Sequence, residues 1–137
     1  MEALPLRLLP DADLRTSLQE VVASRGLRAA FLIAGIGSLR QARVRLAGAA
    51  KPITLAGDLE ILTLSGSVGA NRSHLHMSIA DAEGRVIGGH VAPGCIVRTT
   101  AEILVLLLPE WSFSRDLDPT TGYAELVIQT IDPDATP

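Results

Sequence analysis

Aromatic side chains are scarce in these 137 residues, which hold one Trp, one Tyr and two Phe. So few leave little surface on which nucleic-acid bases could stack. Positive charge is also short: twelve Lys and Arg against fifteen Asp and Glu give a net charge of −3. A nucleic-acid-binding domain usually displays a basic stripe that displaces counterions, so both shortages argue against direct DNA binding by this chain alone. Cys95 is the single cysteine, which rules out an intrachain disulfide and suits a reducing compartment. A soft metal ligand is one use for it, but a free cysteine more often packs as a small hydrophobe. The longest strongly apolar run, Ile103 to Leu108, is far below the about 20 residues that span a bilayer as a helix. The opening Met1-Glu2-Ala3-Leu4-Pro5 lacks the basic stretch and apolar segment of a signal peptide. A soluble cytoplasmic protein with no membrane association is expected.

What is present is apolar. Hydrophobic residues make up 47%, enough for one domain with a real core and for some surface that meets another subunit. Leu4 to Leu8 alternates as a strand. Pro10 and Asp11 open a helix that Gly26 stops, with Asp13 near its positive end and Leu14, Leu18, Val21 and Val22 on one face. Ala29 to Ala34 reads as a buried strand, and Gly35-Ile36-Gly37 as a bend or bulge, since no phosphate-binding glycine motif is completed. Further strands are expected at Gln41–Leu46, Asp58–Ser67, Ala101–Leu108 and Ala124–Ile131, with Ser112–Leu117 as an extended edge. One early helix followed by strands is an α+β pattern: a single domain over residues 1–131, mostly antiparallel sheet with one main N-terminal helix, and a frayed tail at 132–137. Arg40, Arg43 and Arg45 form the one local basic cluster, read as a solvated strand face or a subunit contact.

All three histidines fall between positions 74 and 90. From His74 to Ala80 the chain alternates, Leu75, Met77 and Ile79 on one face and His74, His76 and Ser78 on the other. Asp81-Ala82-Glu83-Gly84 has the Asp and Gly that a type I turn prefers. With Gly84 left-handed, Asp81 pairs with Arg85 and His90 lies opposite His76. In that register Ile87 and Val91 join the apolar face, so turn chemistry and hydrophobic face choose the same pairing. Neutral imidazole is the commonest transition-metal ligand, and three leave one position of a tetrahedral zinc site open. A divalent metal is therefore expected at His74, His76 and His90, zinc before nickel, iron or manganese. Water, Glu60 or Glu102 are the candidates for the fourth ligand. Because ligation requires neutral histidine, the ion should leave toward about pH 5.

The segment from Glu60-Ile61-Leu62-Thr63-Leu64-Ser65-Gly66-Ser67 through His74-Leu75-His76 to Gly84-Arg85-Val86-Ile87-Gly88-Gly89-His90 resembles the PPC domain, plants and prokaryotes conserved. Gly35-Ile36-Gly37-Ser38 and Thr99-Thr100-Ala101-Glu102 fit it too, and the likeness runs from about Leu4 to Ile128. It implies a compact α+β domain round an antiparallel sheet, a homotrimer, and metal binding through His74, His76 and His90. Many members carry a DNA-binding label because plant relatives join the domain to an AT-hook. That hook needs Arg-Gly-Arg-Pro, and here Arg25-Gly26 is followed by Leu27.

Three functions follow as expectations. One is a metal-binding regulatory or partner-binding module. Another is a metal-dependent enzyme on a small molecule, with Glu60 or Glu102 as candidate general bases. The third is a structural interaction module without metal. An enzyme calls for a concave pocket at the histidines with a carboxylate in reach.

Overall fold

Two strands of 17 residues carry the architecture, β2 (Ala29–Arg45) and β3 (Ile53–Gly69). They pair antiparallel from Ala29↔Gly69 to Val44↔Ile53. The computed structural model describes residues 1–70 and 72–131; the tail read as frayed lies outside them. Among the described residues the remaining elements are β1 (Glu2–Leu8), α1 (Leu14–Ala23), β4 (Ser73–Ala80), β5 (Val86–Val91), β6 (Ile96–Leu107), β7 (Trp111–Leu117) and β8 (Ala124–Thr130). One six-stranded sheet runs β1-β6-β2-β3-β4-β5, and β7 with β8 forms a separate two-stranded sheet. The predicted antiparallel α+β class with one N-terminal helix is what the chain adopts.

The expected strands at 29–34 and 41–46 are a single strand. Gly35-Ile36-Gly37 does not break it: the segment pairs with Ala101–Ile103 in unbroken register, and the β2–β6 register slips on either side, between Leu32 and Ala34 and between Gly37 and Leu39. The irregularities thus flank the segment read as a bend or bulge, and they let a long strand coil without ending it. The helix is shorter than its sequence limits. It begins at Leu14, where Asp13 caps it by accepting from the Thr16 N–H at 3.0 Å. Leu14, Leu18 and Val22, spaced at i, i+4 and i+8, are buried against the sheet, whereas Val21 is only partly covered.

The histidine hairpin is found as read. His76 pairs with His90 and Ile79 with Ile87. Gly84 sits at φ 79°, and the Asp81 N–H donates to the Arg85 carbonyl at 3.0 Å. Leu75, Met77, Ile79 and Val91 enter the core with Leu39, Leu64 and Val105. Closure of the sheet had no local sequence signal. Val44 pairs with Val91 and Arg45 with His90, so β5 returns to the far end of β2, beyond the stretch that β6 occupies. Strands β2 to β5 thus form a small closed barrel, whose inside is the core and whose outside carries the histidines.

Candidate metal centre

Strand alternation puts His74 and His76 of β4 on the outer barrel face, and cross-strand pairing brings His90 of β5 beside them. Three ring nitrogens converge. His76 Nε2 lies 3.1 Å from His74 Nε2 and 3.0 Å from His90 Nδ1, and His74 Nε2 lies 3.1 Å from His90 Nδ1. His74 and His90 are partly buried and His76 is exposed.

These contacts cannot all be hydrogen bonds. Each ring nitrogen either bears a proton or offers a lone pair. Three mutual contacts form an odd cycle, so any choice of tautomers sets at least one like pair face to face. A single cation removes the conflict by accepting a lone pair from each ring. Tetrahedral bonds of about 2.0–2.1 Å would hold the nitrogens about 3.3 Å apart, a small expansion of the triangle present. The donor set therefore fits a divalent metal. Burial, followed by the charges of Arg115, His76 and His90, lowers the pKa of His74 to about 4, with Glu125 opposing. Burial, then Arg45 and His76, lowers that of His90. Both rings are thus held in the neutral form that ligation needs.

Gly66 fixes how closely β3 approaches this strand. It pairs with Leu75 at φ 144°, and a Cβ there would overlap the His74 carbonyl. Ser65 and Ser67 flank it opposite His76 and His74.

The two candidate glutamates stand elsewhere. Glu60 pairs with Ala80, four residues beyond His76, about 13 Å along the strand. Glu102 pairs with Ile36 on β2, far from the Arg45 that faces His90. Neither belongs to the group of ligand atoms that converge. Cys95 is buried in the core, bonded to the Arg43 backbone at 3.3 Å, and is not part of that group either.

Two residues at the site escaped sequence reasoning. Arg115 of β7 donates from Nη2 to His74 Nδ1 at 2.9 Å and lies 3.4 Å from Ser67 Oγ. Glu125 of β8 lines a cavity of ≈ 290 Å³ with His74, His76 and Arg115. Both come from the separate hairpin, and neither belongs to a spacing pattern that includes the histidines.

The chain is 47% identical over 133 residues to the bifunctional protein GlmU of Synechococcus sp. strain JA-3-3Ab, covering 97% of this chain and 21% of that protein. It spans about a fifth of the length of the curated relatives it matches. A hypothetical protein from Salmonella superposes with a TM-score of 0.90 at 37% identity, covering 94% of each chain. A metal-containing protein from Archaeoglobus fulgidus gives 0.74 at 27% identity, over 93% of this chain and 94% of the other. Residues 1–109 match the family described as the Plants and Prokaryotes Conserved (PCC) domain, the same family that the histidine and glycine motifs resemble, and with these relatives it follows that the chain belongs to it.

Proposed function

We propose that this chain is a metal-binding module that holds one divalent cation, zinc in first place, at His74, His76 and His90, and that it acts in regulation or partner binding. The observation that carries this reading is the triangle of ring nitrogens, 3.0–3.1 Å on each side, that no set of tautomers satisfies. The metal-containing Archaeoglobus protein of the same fold supports it. The curated relatives carry the matching sequence as about a fifth of a longer protein, which supports use as an attached module. Self-association as a homotrimer belongs to the proposal. Ile33, Ile36, Leu62 and Leu104 are exposed, and large apolar side chains in water favour a subunit contact.

A metal-dependent enzyme is the second reading, and one observation favours it: Glu125 shares the cavity with His74 and His76. A bound metal with an open position would supply Lewis acidity or an activated water, and Glu125 replaces Glu60 and Glu102 as the carboxylate best placed to move a proton. Direct DNA binding is not part of the proposal, given the net charge of −3.

Elemental analysis of tag-free protein, beside His76→Ala, tests the proposal. About one zinc or similar ion per chain, lost in the variant while the fold persists, is the expected outcome. No metal after incubation with zinc, nickel and manganese would overturn it and leave an interaction module. His76 is exposed, so its truncation leaves the core intact.

A further inference from the structure

Arginines crowd one cleft beside the histidines. The cleft, ≈ 960 Å³ in volume, is lined by Arg15, Arg43, Arg45, Arg72 and Arg115, with His74 and His90 also on its wall. Among the described residues the ion pairs use Arg40, Arg85 and Arg98, and none of the five cleft arginines. Carbonyl oxygens hold four of them instead. Arg15 donates to Val91 and Ser73, Arg43 to Pro93, Arg45 to Ala49, and Arg115 to Ala124. A neutral carbonyl orients a guanidinium without cancelling its charge. Among the described residues Glu125 is the one carboxylate on the wall. A chain of net charge −3 has therefore gathered an uncompensated positive field in a concavity, where low-dielectric walls focus it.

A second, independent feature points to a ligand. Ser73 is 9% exposed, and among the described residues neither its Oγ nor the buried Arg15 Nε has a hydrogen-bond partner. Both residues line the cleft. Buried polar groups without partners are rare in folded proteins. Both atoms are themselves shielded from solvent, so a ligand with acceptor oxygens in several directions satisfies them by drawing the cleft wall toward it. Phosphoryl groups do so and form charge-assisted bonds to arginine forks. The volume is that of a small-molecule site, and the arginines converge in a concavity where a duplex would require an extended stripe.

We propose that this cleft binds a small polyanion bearing phosphoryl groups. The cleft shares His74 and His90 with the histidine triangle, but the groups that would bind the anion, the arginines and Ser73, are not metal ligands, so the proposal does not depend on the metal-binding reading.

Calorimetric titration of inorganic pyrophosphate into the chelator-treated chain tests this, using wild type, Arg43→Gln, Arg45→Gln, Ser73→Ala and His76→Ala. Saturable binding is expected, weakened roughly tenfold or more by each arginine variant. Ser73→Ala should also bind more weakly while melting no earlier, since its Oγ has no partner to lose. His76→Ala should bind pyrophosphate like wild type, and Arg43→Gln should still take up zinc, which separates failure of this site from failure of the metal centre. Absence of saturable binding, or equal binding by every variant, would overturn the proposal. So would a short DNA duplex that binds where pyrophosphate does not and is lost in the arginine variants, because the cleft would then contact nucleic acid.

Discussion

Arg115 Nη2 stands 2.9 Å from His74 Nδ1, and because a guanidinium only donates, that ring nitrogen must accept. Neutral His74 then bears its proton on Nε2, the atom that faces His76 and His90. The arginine thus selects the tautomer that closes His74 to a cation. Loading the site requires the proton to leave Nε2, and a proton that reappears on Nδ1 displaces Arg115.

Arg115→Met should therefore tighten zinc binding near neutral pH by about tenfold, the scale on which neighbours of metal ligands act. Competition with a chromophoric chelator measures this. Weaker binding in the variant would mean that Arg115 supports the loaded site.

Acid should destabilise the metal-free protein in a defined window. The His74 pKa is about 4 when folded against 6.5 for the free side chain, and that of His90 is lowered too. The unfolded chain therefore takes up protons first. The resulting stability is fully present above pH about 6.5 and is lost as pH falls toward about 4. Denaturant melts across that range should show the decline, and His74→Gln should flatten it. Because His74 resists protonation to about 4, a metal held there should leave at lower pH than from an ordinary histidine.

Gly66→Ala should cost about 2–4 kcal/mol, combining a strained φ with a forced backbone shift. The carbonyl that its Cβ would meet belongs to His74, so metal affinity should fall with stability. Paired denaturation and zinc titrations check this, and unchanged affinity would show that the triangle tolerates movement of β4.

Cys95 should ignore thiol reagents at mildly alkaline pH until the chain unfolds. It is fully buried, and burial raises its pKa to about 11, so little reactive thiolate exists. Labelling followed against denaturant should track global unfolding.

The hairpin was legible because its determinants are local. The Asp81–Gly84 turn and the alternation from His74 to Ala80 set the register, and the register sets the triangle. Barrel closure was not legible, since Val44↔Val91 and Arg45↔His90 join segments whose own patterns are complete without each other. The same limit hid Arg115 and Glu125. On β7 and β8 they read as ordinary solvated charges, and only packing of that hairpin brings them to His74. Glu60 illustrates the converse: it lies on the right sheet, but four residues past the site along the paired strand.

Closure of β5 onto β2 divides the hairpin into two mechanical regimes. Its base, with His74, His76 and His90, is clamped by β3 on one side and by the end of β2 on the other. Its tip lies beyond the last paired residues, Glu60 and Ala80, and faces Leu55–Leu59 of β3 across a pocket, while a Cβ added at Gly84 would meet nothing within 4 Å. A peptide epitope or affinity handle spliced in after Gly84 would ride on a rigid stem without disturbing the imidazoles, making the tip the natural attachment point for immobilising this domain with its histidine face free.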